Sequence, residues 1–340
     1  MSVETAERIC ARILSHCQTH QKEDAAVIFH GGEPLLGGIK HISLLVAVID
    51  RILIRNGIRV KIGIQSNGLL LNQPICDFLV SSGISIGISI DGPPPVNDLY
   101  RVDRLGRGTT AKLESKLQLL FQPRYRPAFG GFLCVINTEA NPVDTFRYLA
   151  SFEDAPIDFI LPYDNHDRLP VGKTGIEGPT PYADWLISIF DIWTSERLTN
   201  RIRLFDSILQ MLFGGQSLVE SVGEDPTDIV VVETDGSLEA VDSLKATYQG
   251  ATKVGLNVFL DTFDAFQART MGMIGGPAPN RLCTECQLCS VRMICGGGYL
   301  PHRYSSKNGF DNPSIYCHDL QKLIRHIHAY AKQHTSVVTR

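Results

Sequence analysis

The feature that most restricts this chain is an alternation. Short apolar runs ending in turn residues, at 25–30, 60–65, 84–90, 129–136 and 157–161, are separated by stretches of helical periodicity at 42–54, 73–82, 110–120 and 143–151. Strand, helix and strand repeated in this way dictate right-handed βαβ units and a parallel sheet. The pattern predicts an α/β fold, curved into a partial, open parallel (β/α) barrel. Ahead of it, residues 3–20 set Ala6, Ile9, Cys10, Ile13, Leu14 and Cys17 on one helical face and Glu7, Arg8, Arg12 and Gln18 on the other, an amphipathic helix that needs a partner.

Beyond the last predicted strand the character changes. Residues 165–181 are rich in Pro, Gly and charge and read as a long loop. Helical patterns follow at 183–193 and 203–213, and runs at 229–233 and 237–241 flank Asp235-Gly236, a hairpin signal because both central turn positions favour positive φ. A helix at 319–333 closes the chain. The expected division is a barrel over 1–164, a linker with helices over 165–225 and a cysteine-rich domain over 226–340.

Composition excludes several classes. With 44% hydrophobic and 20% charged residues the chain resembles ordinary globular proteins, not disordered or fibrous ones. A net charge of -4 and the lack of any Lys/Arg run argue against a nucleic-acid partner, and no apolar run is long enough for a bilayer, so a cytoplasmic protein is expected. The nine cysteines are odd in number, and five of them, Cys283, Cys286, Cys289, Cys295 and Cys317, crowd the last fifth of the chain, which points to metal or cluster ligation. Cys10, Cys17, Cys76 and Cys134 sit in apolar patterns, where cysteine acts as a small buried hydrophobe.

Three motifs occupy equivalent places, each directly after a predicted strand: His30-Gly31-Gly32-Glu33-Pro34, Gln65-Ser66-Asn67-Gly68 and Ser89-Ile90-Asp91-Gly92-Pro93. In a parallel barrel the carboxyl ends of the strands share one rim, so these loops converge. Paired glycines let the backbone approach a ligand closely, and Pro34 fixes φ for the start of the next helix. An amino group would find acceptors there, and Ser66, Asn67, Ser89 and Asp91 could bond a ribose and a carboxylate. Each motif taken alone is an ordinary turn sequence; their shared position is what carries the reading.

The second constellation is Cys286-x2-Cys289-x5-Cys295 with Cys317 farther on, four thiolates that suit a [4Fe-4S] cluster or structural zinc. Spacing does not separate the two, and Cys283, at Cys-x2-Cys spacing from Cys286, leaves the register open. The glycines at 296–298 allow a tight wrap with amides directed at sulfur, and His302 and Arg303 are expected to place positive charge nearby.

Together these motifs resemble the radical S-adenosylmethionine (SAM) enzymes that carry a C-terminal SPASM domain. The resemblance implies that Gly31, Gly32, Glu33 and Pro34, with Ser66, Asn67, Ser89 and Asp91, bind SAM. It also implies one auxiliary [4Fe-4S] cluster on Cys286, Cys289, Cys295 and Cys317, and a peptide or protein substrate. In that family the strand after the hairpin commonly ends in Cys-Asp; here it ends in Val241-Asp242, so a second auxiliary cluster is not expected.

The family also holds a catalytic [4Fe-4S] cluster on Cys-x3-Cys-x2-Cys after its first strand, a spacing absent from these 340 residues. The first strand here matches the family's second, so the expectation is a missing βα unit, with 25–30 as an open edge that another subunit could cover by supplying the missing strand. The implied activity is modification of a peptide side chain through a 5'-deoxyadenosyl radical, as in peptide maturases and anaerobic sulfatase maturation. Without the missing cysteines these residues alone are expected to be inactive. The rival reading is a cluster-deficient homologue that binds peptides around a structural iron-sulfur or zinc site. Asn165, His166 and Asp167, just after a strand end, are further candidates to face the substrate.

Overall fold

The computed structural model describes residues 1–152, 154–224, 229–271 and 282–335. Five strands, β1 (Asp24–Phe29), β2 (Arg59–Ser66), β3 (Ser85–Ser89), β4 (Phe129–Val135) and β5 (Ile157–Ile160), form one wholly parallel sheet in the order in which they occur along the chain. An order that never reverses makes every crossover step the same way. The helices therefore lie on one face and the sheet rolls as a barrel wall, as the alternation predicted.

Those helices are α1 (Val3–Thr19), α2 (Gly38–Ile52), α3 (Gln73–Ser81), a short α4 (Pro94–Asn97) that the periodicity did not show, α5 (Thr110–Leu120) and α6 (Pro142–Ala150). Their starts follow local chemistry: Ser2 accepts from Thr5 N, Asn72 from Ile75 N, and Asn141 from Val143 N and Asp144 N, with prolines in the first turns of α3 and α6. The partner of α1 is α2, and Cys10 and Cys17 are buried along α1. Burial pushes the Cys10 thiol up to about 11, as befits an apolar filler.

The two faces of the sheet differ. Ile86, Ile88 and Ile90 are fully buried under the helices, with Ile64, Phe132, Cys134 and Phe159 beside them. Alternate residues look the other way, and in register across the sheet they run Ile28, Gly63, Ser85, then Gln65, Gly87, Gly131, then Ser89, Leu133, Asp158. On this face the Ile28 and Gln65 side chains lie over Gly63 and Gly87, and Ile28, on the edge strand β1, is 57% exposed.

The later elements are α7 (Pro181–Ser195), α8 (Arg203–Leu212), the antiparallel strands β6 (Val231–Val232), β7 (Ser237–Glu239) and β8 (Lys253–Asn257), then α9 (Phe263–Met271), α10 (Thr284–Gln287), α11 (Arg292–Cys295) and α12 (Cys317–Thr335). The hairpin sits where Asp235-Gly236 placed it, with a different turn. Gly236 alone takes a positive φ, +87°, and its N–H bonds Glu233 O, so the loop is a type I turn closed by a left-handed glycine. The third strand, β8, was not foreseen.

Helix α12 packs back on α7 and α8, and one buried cluster runs from Ala6 to Ile327. The loop expected at 165–181 is irregular but anchored. Lys173 Nζ donates to Asp319 Oδ2 at 2.5 Å and to Pro179 O at 3.1 Å, and Asp319 Oδ1 accepts from Tyr182 N and Ala183 N at 3.0 Å each. A residue of the last helix thus caps the start of α7. Among the described residues no helix is long and apolar enough to cross a membrane.

Candidate functional site

The three strand-end loops meet at one rim, and two carboxylates tie them. Glu33 Oε1 accepts from Leu35 N (3.2 Å) and Ser66 Oγ (2.8 Å), and its Oε2 accepts from Asn67 N (2.9 Å). Ser66 Oγ accepts in turn from Gly68 N at 3.0 Å. The loop after β1 is thereby fixed to the loop after β2. Asp91 Oδ1 accepts from Arg101 Nη2 (2.9 Å) and Val135 N (2.9 Å), and its Oδ2 from Arg101 Nε (2.7 Å), which joins the loop after β3 to the end of β4.

A carboxylate offers about four acceptor sites. Three are used in each case, so both groups act first as loop ties, with one acceptor direction left on Glu33 Oε2 and one on Asp91 Oδ2. Ser89 Oγ accepts from Gln65 Nε2 at 2.9 Å on the inner face of the sheet. Pro34 opens a short 3-10 turn over Pro34–Gly37. Gly31 and Gly32 are exposed at φ +78° and +52°, conformations that leave their backbone bare towards the rim.

A second group, which sequence reasoning missed, stands over the same sheet face. Asp158 on β5 pairs with Arg203 Nη1 at 2.7 Å. Burial pushes Asp158 upwards. Glu220 and Tyr163 stay exposed at their outer ends, and partial desolvation pushes both upwards, with the charges of Asp242, Glu220 and Asp158 adding to the rise at the Tyr163 hydroxyl. The Tyr163 and Tyr299 rings lie 6.0 Å apart, Ser243 Oγ and the Tyr299 hydroxyl share a hydrogen bond of 2.6 Å, and Asp242 Oδ2 is 3.9 Å from His30 Nδ1 on the rim. Segments far apart in the chain build this acidic, phenolic cluster. The one local hint was Asp242, at the end of the hairpin.

Asn165, His166 and Asp167 do not face it. Asn165 Nδ2 donates to Ala246 O (3.2 Å), His166 Nε2 donates to Pro313 O (2.9 Å), and the Asp167 carboxylate accepts from Ser306 N (2.9 Å). All three hold their loop against the C-terminal segment.

The cysteines form a cage. Cys286 on α10, Cys289 just after it, Cys295 ending α11 and Cys317 opening α12 line one cavity of about 350 Å³. Burial pushes the Cys295 thiol up to about 12, with Cys317 and Cys289 adding to the rise and the amides of Gly297 and Gly298 opposing it. Those amides reach the sulfur as the glycine run suggested. Cys286 is pushed up by burial and by the neighbouring Cys283, which precedes α10 and shares a hydrogen bond with it. Four crowded thiols cannot ionise together unless a cation compensates them, and a metal centre does so.

Four thiols lining one cavity, with the Gly297 and Gly298 amides directed at the Cys295 sulfur, fit a [4Fe-4S] cluster, and four thiolates also suit tetrahedral zinc.

Gly296 closes the turn at φ +62°, and a Cβ there would lie 1.7 Å from Gly223 O, so only glycine fits. His302 does not supply the expected positive charge: it is fully buried beside Tyr299 and Tyr316, and burial pushes it down to about 3, so it is neutral. Arg303 does stand near the thiols, and Cys286 and Cys283 act on it.

A same-direction parallel half-barrel with its loops gathered at the carboxyl rim, followed by a cysteine-rich segment, is the fold of the radical SAM class. Sulfatase maturases are among the proteins to which this chain is similar. The cysteine-type anaerobic sulfatase-maturating enzyme of Clostridium perfringens (strain 13 / Type A) is 25% identical over 334 residues, 96% of this chain and 86% of the relative. The serine-type enzyme of Bacteroides thetaiotaomicron is 23% identical over 320 residues, 89% and 75% respectively. Among solved structures, native anSMEcpe with bound AdoMet and Cp18Cys peptide superposes with a TM-score of 0.81 at 22% identity, covering 99% of this chain and 92% of that one. No protein-family profile matches.

Proposed function

We propose that this chain binds SAM at the strand-end rim and a peptide over the inner face of the sheet, as part of a radical SAM modification of a peptide or protein side chain. The observation that carries the reading is the rim itself: loops after three consecutive strands, locked to one another by Glu33 and Asp91, in a fold whose solved counterpart holds AdoMet and a peptide. Gly31 and Gly32 offer bare backbone to the methionine amino group. The remaining acceptor direction of Glu33 suits the same cationic group, while Ser66, Asn67 and Ser89 set the loops that flank it. Pro34 fixes the exit of that loop.

The acidic, phenolic cluster beside that face supplies what a side-chain oxidation needs on the protein side. Glu220, with its affinity for a proton raised by partial desolvation, holds or accepts a proton beside Tyr299. Cys286, Cys289, Cys295 and Cys317 hold one auxiliary [4Fe-4S] cluster in a SPASM-type domain, and Cys283 supports Cys286 from outside the cavity wall. A reduced catalytic cluster would supply the one-electron cleavage of SAM when bound. Its Cys-x3-Cys-x2-Cys ligands do not occur in these 340 residues, so SAM cleavage is proposed to require those thiolates from outside this sequence.

Anaerobic reconstitution of the full chain tests both halves. About four irons and four sulfides per chain are expected, with saturable SAM binding. Zinc uptake without iron would remove the cluster from the account, and a loaded chain that binds peptide but not SAM would leave the peptide-binding reading in its place.

A further inference from the structure

A different set of ligand atoms converges outside the rim and the cage. His16 lies in the last turn of α1 and His20 at its C-cap, four residues on, while Asp264 comes from the first turn of α9. One oxygen, Asp264 Oδ1, stands 2.7 Å from His16 Nδ1 and 2.7 Å from His20 Nε2. The two rings are 4.4 Å apart, and all three ligand atoms lie within 4.8 Å of one another. The side chains are 31%, 42% and 44% exposed, so an ion from solvent reaches them.

A carboxylate accepts and never donates, so without a metal each facing ring nitrogen carries its proton. Those two protons mark where a cation would sit. A tetrahedral ion with bonds of about 2.0–2.2 Å needs its ligand atoms about 3.4 Å apart, so Asp264 Oδ1 must withdraw by about 0.7 Å. A small side-chain rotation supplies that. The frame around it stays fixed, because Arg12 Nε donates to Val258 O at 3.0 Å and Ile9 packs on the small core of Leu238, Val254, Val258 and Phe266.

We propose that His16, His20 and Asp264 bind a divalent transition metal of the zinc, cobalt or nickel kind and so clamp the N-terminal helix to α9. Two imidazoles from successive turns of one helix and a single carboxylate suit those ions; Mg²⁺ and Ca²⁺ take shells of oxygen. The remaining position opens to solvent and is filled by water. An ion held here binds only when α1 and α9 are together, so it stabilises that junction by mass action.

Co²⁺ is the probe, applied to the full chain and to His20→Ala and Asp264→Asn. Cobalt in the cage shows intense near-ultraviolet thiolate bands; cobalt on imidazole and carboxylate shows weak visible bands alone. Both variants are expected to bind about one equivalent less than the parent, to lose visible absorption only, and to show a smaller rise in Tm with Co²⁺ than the parent does. His20 is an exposed C-cap residue, so its variant keeps the fold, which circular dichroism checks. Equal cobalt uptake by parent and variants would reduce the triad to a hydrogen-bonded staple and overturn the proposal. So would a difference spectrum made of thiolate bands.

Discussion

Asp319 lets a single substitution test how the thiol cage is held. Its carboxylate is 2% exposed and its partner Lys173 0%, with the 2.5 Å ion pair on one oxygen and the two α7 amides on the other. Pro181 begins α7 without an N–H, so Tyr182 and Ala183 carry the donors that need an acceptor. Asp319→Ala strands a buried ammonium with Pro179 O alone and orphans both amides. Breaking a buried pair in this way costs about 3–5 kcal/mol.

The double variant Lys173→Met/Asp319→Asn removes both charges and keeps an amide oxygen to cap α7. It should recover to within about 1.5 kcal/mol of the parent, about 2–3 kcal/mol more stable than Asp319→Ala. Anaerobic urea unfolding, with midpoints compared at a common m-value, measures both differences. Because Cys317 opens the same helix two residues earlier, Asp319→Ala should also lose reconstituted iron while the double variant retains it. An Asp319→Ala chain within about 1 kcal/mol of the parent, still fully loaded with iron, would refute the reasoning.

Three further perturbations have defined outcomes. Glu33→Ala frees the loops after β1 and β2 from each other and should weaken SAM binding at least about tenfold, about 1.4 kcal/mol by calorimetry, with little change in iron content. Gly296→Ala should abolish cluster loading, seen as loss of the near-ultraviolet and visible iron-sulfur absorption, since its Cβ has no room beside Gly223 O. His302, pushed down to about 3 by burial, leaves the unfolded chain holding a proton that the folded chain lacks between about pH 6.5 and pH 3. Stability should therefore fall by up to about 1.4 kcal/mol per pH unit across that window as pH drops, and His302→Phe should flatten that part of the slope.

The barrel was legible because its evidence is local. A strand of alternating burial and a helix of period 3.6 each declare themselves within ten residues, and α5 falls at 110–120 as its pattern predicted. The grouping of the thiols was legible for the same reason, three of the cysteines that line the cavity lying within ten residues. What failed to show was assembled at long range. β8 is five residues with a glycine at its centre, too short and too interrupted for a period to register. Lys173 looked like one more charge in a polar loop, and nothing near it announces Asp319. Glu220, Asp158, Tyr163 and Tyr299 belong to no motif. Glu33 and Asp91 were visible as residues of the rim but not as ties, since that role depends on which amides the fold brings to them. His302 was misread because a histidine next to Arg303 reads as a second positive charge, whereas the fold buries its ring against Tyr299 and Tyr316.

The rim built by Gly31, Gly32 and Glu33 is proposed as a SAM site. Equilibrium dialysis of labelled SAM against the full 340-residue chain measures it most directly. Saturable binding near one SAM per chain is expected, weakened by Glu33→Ala and unaffected by Asp264→Asn. Absence of saturable binding, or binding that Glu33→Ala leaves unchanged, would contradict it.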